Sequence, residues 1–299
     1  TSGAAITDSG VITVGGAATV VTDVDDIDIT LDQSNAITGA LTFTTQTSAS
    51  NNGADITLNN GSTAISLAAF TTEGNLTLTT TNAIALTGHT VNGNLSVTSA
   101  GAITQSAALT VTGTSSFTST GTNTNITLSN ASNALTGAVT LTTAGTSGDV
   151  SIDNNTTALS IQGTINGGLT VVNGAAITDS GTLTVSGASD FTIDNGSNHI
   201  TLGTAALTGA IGVATSGTSN FTLDNTTTAV NLGTVGVTGA LSVTSGAAIT
   251  DSGVITVTGT SSFTTDVNNK VINLDSSNAM SGAITATTQG TWGNVTICL

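Results

Sequence analysis

An eight-residue string that returns intact constrains this chain more than anything else in it. Gly-Ala-Ala-Ile-Thr-Asp-Ser-Gly occupies residues 3–10, 174–181 and 246–253, and a worn copy, Gly101-Ala102-Ile103-Thr104-Gln105-Ser106, falls between the first two. Taken as anchors, the isoleucines of these copies are Ile6, Ile103, Ile177 and Ile249, with a longer first interval and two nearly equal ones after it. Fourteen positions after each anchor stand Val20, Phe117, Phe191 and Phe263, and twenty-three after each stand Ile29, Ile126, Ile200 and Ile272. Bulky apolar residues at fixed offsets in four modules describe a repeat array, in which each unit buries its apolar face against the next. The modules run 3–100, 101–173, 174–245 and 246–299.

A shorter period lies inside each module. A small-residue turn followed by an alternating run recurs as Gly39-Ala40-Leu41-Thr42-Phe43, Gly137-Ala138-Val139-Thr140-Leu141 and Gly239-Ala240-Leu241-Ser242-Val243. Such turns return often enough that a module of the shorter kind, Ile177 to Ile249, holds three turns of chain. The first module is longer by one further unit, which a stacked coil tolerates. Within a run the alternation has period two, with Leu41 and Phe43 on one face and Thr42 and Thr44 on the other. Runs are short and broken by Thr-Gly, Asn-Gly and Asp-Ser-Gly, all turn signals. No 3.6-residue apolar period is present, so helices are not expected. These features predict an all-β chain, a parallel β-helix (β-solenoid) of about 12 coils, each of roughly 19–30 residues, forming one continuous array over 1–299. The rival is a string of immunoglobulin-like sandwiches, which lacks support from a Tyr corner or a core Trp.

Composition agrees with β-structure and excludes several partners. The chain has 67 Thr and 36 Gly with no Pro, and proline is the residue that interrupts strand ladders. Lys270 is the one Lys or Arg, and 17 acidic residues set a net charge of −16. Without Arg and with a single Lys there is nothing to neutralise phosphates, so nucleic acid is excluded as a partner. No long unbroken apolar run is present, so no membrane span is expected. Neither end carries a polar cap, and the last module breaks off at Asn294-Val295-Thr296-Ile297, so the chain reads as a fragment of a longer one.

The stretch from Gly101-Ala102-Ile103-Thr104-Gln105-Ser106 through Thr114-Ser115-Ser116-Phe117 resembles the repeat regions of very large secreted bacterial β-strand-repeat proteins. That group includes filamentous-haemagglutinin-like exoproteins and adhesins. The resemblance runs along the whole chain on Thr/Gly/Ala patterns. It implies a right-handed β-helix, export, and a place at the cell surface or in a fibre. It carries over no functional residues.

Candidate chemistry is sparse. Asp26, Asp28 and Asp32 share an outward face if Ile27, Ile29 and Leu31 point inward, and carboxylates crowded there could collect Ca2+. A solvated edge that blocks lateral aggregation is the competing reading. Asp8, Asp179 and Asp251 recur in the Asp-Ser-Gly turn, where an Asp side chain bonds its own backbone. Neither His89 nor His199 has an evident catalytic partner, so no catalytic residues, no resident cofactor and no enzymatic activity are expected. Thr-x-Thr pairs at Thr42/Thr44, Thr77/Thr79, Thr140/Thr142 and Thr256/Thr258 would suit an ice-binding face if aligned, although uneven coil lengths argue against alignment. Cys298 could crosslink chains or pack as a small apolar residue. The function expected is a structural shaft of an extracellular or cell-surface fibre, self-associating end to end or laterally. The alternative is the binding face of a surface adhesin, with a host or matrix ligand, or of a Thr-array ice binder.

Overall fold

The computed structural model describes residues 1–46 and 53–299. These form two compact units, Thr1–Gly148 and Asp149–Leu299. All of the regular structure described is β, and each unit is a parallel β-solenoid.

In the first unit seven strands stack in one sheet: Ile6–Thr7, Ile29–Leu31, Ile56–Asn59, Leu76–Thr80, Leu95–Ser99, Ser115–Thr122 and Val139–Ala144. Each pairs in parallel with the next, so Ile29, Ile56, Leu76, Leu95, Ser115 and Val139 lie one above another. A second sheet collects Ile84–Thr87, Ile103–Ala107 and Ile126–Leu128, and a third collects Thr71–Thr72, Thr90–Val91, Thr110–Val111 and Ala134–Leu135. One coil of chain therefore crosses three short strands before it lands on itself. The second unit repeats the plan. Seven strands from Leu159–Ile165 to Ile284–Gln289 form one stack, and eight from Val150–Asp153 to Val295–Ile297 form another. With seven turns in each unit, the coil count is larger than the twelve expected, because the coils are shorter. In the first unit the shortest step between partners runs from Leu76 to Leu95 and the longest from Ile29 to Ile56. In the second the shortest runs from Leu159 to Ile177, and none exceeds that from Ile177 to Ile200.

The sequence offset of 23 is the coil itself. Ile6 pairs Ile29, Ile103 pairs Ile126, Ile177 pairs Ile200 and Ile249 pairs Ile272. The residues at offset 14 are the next inward set: Phe117, Phe191 and Phe263 are 0 or 1% exposed, and Phe117 stacks on Val97 and Leu141. Fully burying a side chain of this size contributes about 1.5–3 kcal/mol.

The module, however, is not a whole number of coils. In the second unit Ile177, Ile200, Phe221 and Leu241 are successive rungs of one sheet, and Ile249, a little further along the chain, lies in the other. In the first unit Ile6 heads the main stack, four coils follow to Leu95, and Ile103 then falls in the second sheet. A module thus spans three or four coils and roughly half of another, not three turns, and the same sequence serves opposite sides. It can do so because both sides ask for apolar residues inward and hydroxyls outward at period two.

The turn glycines answer to crowding between coils. A Cβ on Gly113 would stand 2.5 Å from the Asn94 side-chain oxygen and 2.6 Å from the Gly93 carbonyl, and one on Gly137 would stand 2.4 Å from the Gly113 carbonyl. In the second unit Gly259 and Gly282 repeat this, at 2.5 Å from the Gly239 carbonyl and 2.2 Å from the Gly259 carbonyl. None of the four has positive φ. Successive backbones simply approach too closely for a side chain.

Candidate functional site

The recurring Asp-Ser-Gly string builds an inter-coil clamp. Asp8 accepts hydrogen bonds from the backbone N–H of Asp32 at 3.0 Å and of Gln33 at 3.2 Å, both in the next coil. Its second oxygen accepts from the Asn35 amide at 2.7 Å, and the Asn35 oxygen accepts the Ile12 N–H at 2.7 Å. Asp251 does the same with Asp275 N–H at 2.9 Å and the Asn278 amide at 2.9 Å, and the Asn278 oxygen accepts Ile255 N–H at 2.8 Å. The worn copy keeps the geometry with a neutral group. Gln105 and Asn133 exchange two amide hydrogen bonds, at 2.8 and 3.0 Å, while Asn133 accepts Leu109 N–H at 2.9 Å. Asp179 takes Gly203 and Thr204 N–H at 2.9 and 2.6 Å.

Self-bonded turns therefore give way to clamps: the carboxylates mainly bond the following coil, although Asp8 also accepts its own N–H. Burial alone would raise the Asp8 carboxyl, but the Asn35 amide and the N–H groups of Asp32 and Gln33 outweigh it and hold it below the usual carboxylate value. Asn35, Asn133 and Asn278 are buried, and sequence reading passed them over. Their signal was present as Ser-Asn-Ala-Ile, Ser-Asn-Ala-Leu and Ser-Asn-Ala-Met, one coil beyond the acid or Gln that each amide meets.

Buried Asn recurs elsewhere for the same reason. Asn60 donates to the Ile37, Thr63 and Ala64 carbonyls, and Asn225 donates to those of Leu207, Thr228 and Ala229. A corner leaves backbone groups that no sheet can pair, and a buried primary amide satisfies several at once.

The main stack of each unit carries hydroxyls outward in register. In the first unit the outward ladder reads Thr7, Thr30, Thr57, Thr77, Ser96, Ser116 and Thr140, and in the second Ser160, Thr178, Thr201, Thr222, Ser242, Ser262 and Thr285. Over four coils of the first unit a parallel ladder, Thr79, Thr98, Thr118 and Thr142, runs beside it. The unequal steps from Leu76 to Leu95, Leu95 to Ser115 and Ser115 to Val139 do not disturb this, because the extra residues lie outside the aligned segments. Two of the four Thr-x-Thr pairs named above, Thr77/Thr79 and Thr140/Thr142, belong to this array, whereas Thr256/Thr258 does not: Thr256 pairs with Gly236 and Ala279 in the other sheet. The second sheet of the second unit is less uniform outward, since Thr170 is followed by Asp190 and Gly212.

Among the described residues one ionisable side chain is inside. His89 is 1% exposed, neither ring nitrogen has a hydrogen-bond partner, and its ring lies 4.7 Å from that of Phe70. Phe70 in turn meets Phe43 edge-on at 5.7 Å. Burial lowers the His89 pKa to about 4, so the ring is neutral at pH 7. His199 is exposed, and its Nδ1 accepts the Asn220 N–H at 3.0 Å.

The remaining candidates are scattered. Asp26, Asp28 and Asp32 are exposed while Ile29 and Leu31 point inward; Asp28 accepts the Asp55 N–H at 2.9 Å, and Asp32 accepts from Gln33. Among the described residues no three His, Cys, Asp or Glu side chains converge as a metal cage. Cys298 is exposed, so it is not a core residue, and Trp292 is 77% exposed. No helix among the described residues is long and apolar enough to cross a membrane.

With this geometry in place, a family model described as repeats of unknown function (DUF5649) matches residues 1–44, 73–142, 147–214 and 218–287. Comparison with curated proteins and with solved structures finds no match.

Proposed function

We propose, for a chain that belongs to this family of repeats, that it is a non-enzymatic structural shaft of an extracellular or cell-surface fibre. The observation that carries the reading is the use made of the recurring polar motif. Asp8, Gln105, Asp179 and Asp251 are all engaged in tying one coil to the next, with Asn35, Asn133 and Asn278 as buried counterparts. The chain thus puts its most repeated polar chemistry into axial cohesion. The resemblance to filamentous-haemagglutinin-like exoproteins supports export and a bacterial surface, with end-to-end or lateral self-association as the partner reading. Force spectroscopy on the chain, tethered at both ends, tests this. A shaft unravels coil by coil, in many similar small steps. One or two early, low-force openings would sink the proposal.

The hydroxyl array supports a second reading, a face that binds an ordered lattice such as ice. Rungs about 4.7–4.9 Å apart, carrying hydroxyls about 6.6 Å apart along each strand, form a regular uncharged grid. Thermal hysteresis of the purified chain decides it. Activity abolished by Thr98→Tyr, in the middle of the grid, would establish this reading, and its absence in the unmodified chain would remove it.

A further inference from the structure

We propose that His89 is an acid-operated release built into the first unit, whose protonation opens the coils stacked on it. The argument begins from its place in the ladder. The Thr90 N–H bonds the Phe70 carbonyl at 3.1 Å and the Thr110 N–H bonds the His89 carbonyl at 3.0 Å, so His89 is the rung between Phe70 and Leu109. Leu109 is fully buried, and Phe70 packs its ring against the imidazole. Both neighbouring rungs are apolar, and the next one, buried Asn133 above Leu109, is a neutral amide with hydrogen-bond partners, so the imidazole is the ionisable member of the column and lacks a partner.

Among the described residues no counter-charge stands beside it. Thr71–Thr72, Thr90–Val91 and Thr110–Val111, which stack in its column, Ile84–Thr87, which leads into it, and Leu41–Gln46, which carries Phe43 against Phe70, contain no acidic or basic residue. Glu73 accepts a hydrogen bond from the Asn92 side chain at 2.6 Å, at an exposed position. A proton on His89 would sit in an apolar interior without an acceptor on either ring nitrogen or a counter-charge. Opening the coil lets water solvate the imidazolium, so the open form binds the proton and the closed form refuses it.

The direction follows from linkage. The closed-state pKa is about 4 and an unfolded His titrates at about 6.5, so the open form holds more protons throughout that window and stability falls as pH falls. The closed-to-open ratio should drop about 20-fold between pH 7 and pH 5, and about 200-fold in all once the pH is well below the lower value. Neutral conditions leave the coil shut.

Hydrogen exchange of the full chain, read by mass spectrometry from pH 7 to pH 4 and corrected for intrinsic exchange, tests the proposal. In the unmodified protein, protection over residues 71–111 should fall by these factors on acidification, and in His89→Phe and His89→Leu it should fall far less. The two variants copy the rungs below and above, so a packing failure in one would not be shared by the other. NMR titration of the unmodified chain provides a check that needs no variant. An imidazole staying neutral down to about pH 4 fits the proposal. Equal acid loss in wild type and both variants, or a His89 titration near pH 6.5, would overturn it.

Discussion

The two units solve one problem with different interiors. Both stack seven strands in parallel register and turn Ser or Thr outward along the main sheet. The first holds the aromatic cluster Phe43, Phe70 and His89, while the second has no His inside and fills its centre with Phe191, Phe221, Phe263 and aliphatic rungs. Coil-to-coil hydrogen bonding therefore fixes the architecture, and the inward rung varies among apolar side chains and small hydroxyls such as Ser115, Ser189 and Ser261. Among the described residues His89 is the ionisable one at such a position.

Emptying equivalent rungs should do the most damage. Phe117 and Phe191 share an offset in their modules, but Phe117 lies in the seven-strand stack of the first unit and Phe191 in the eight-strand stack of the second. If both sides of a coil are equivalent, Phe117→Ala and Phe191→Ala should each cost about 3–5 kcal/mol. Phe117 contacts rungs Val97 and Leu141, and Phe191 contacts Val171 and Val213, so neighbouring volumes are similar. Chemical denaturation measures both. A difference above about 2 kcal/mol would show that the two sides are not equivalent.

The clamps separate the units next. Asn278 sits against the Asp251 carboxylate, whereas Asn133 sits against neutral Gln105. Asn278→Asp places two carboxylates side by side and removes the donor between them. Asn133→Asp keeps an acceptor for the Gln105 amide and the Leu109 N–H. The first should therefore destabilise its unit more than the second, by about 1–3 kcal/mol at neutral pH. Equal losses of melting temperature would mean that the charge facing the amide, which is what separates the two clamps, contributes little.

Much of the fold was legible in the sequence because the offset of 23 is a physical contact: Ile177 and Ile200 are partners. The half-coil phase was not, since Ile177 and Ile249 have the same neighbours in sequence whichever sheet receives them. The site was less legible still. Asp8 could be recognised as a turn residue, but its partner Asn35 is a full coil away, and a turn motif does not announce what the next coil offers. The conformational reason behind the turn signals holds at Gly61, Gly88 and Gly196, which have positive φ, but at Gly113, Gly137, Gly259 and Gly282 the cause is the approach of the neighbouring coil. That cause predicts a contrast within the second unit. Gly259→Ala meets backbone at 2.5 Å and should cost about 1–3 kcal/mol. Gly236→Ala, whose nearest neighbour is the Val213 carbonyl at 3.7 Å, should be neutral or stabilising by up to about 1 kcal/mol. Thermal melts of the two variants read the contrast directly, and equal losses would remove crowding as the cause.

The mildest contrast concerns the charge on Asp8, and it can be isolated inside one unit because Gln105 performs the same task without a charge. The Asp8 carboxyl is depressed in the folded chain, so its carboxylate contributes stability at pH values above the ordinary carboxylate pKa of about 3.9. That contribution is lost as pH falls from there through the lower folded value. Asp8 lies near the surface, where solvent screens the interaction, so the loss is local rather than global. Exchange of the Asp32 and Gln33 amides, which donate to Asp8, should accelerate in that acid window beyond the intrinsic rate. The Asn130 amide, which donates to Gln105, should show no such step. Asp8→Asn removes the step while leaving an acceptor for one of the donors. An Asp32 and Gln33 profile unchanged by that substitution would show that the coil holds its turn without the carboxylate, and the recurrence of Asp in the repeat would then need a cause outside the clamp.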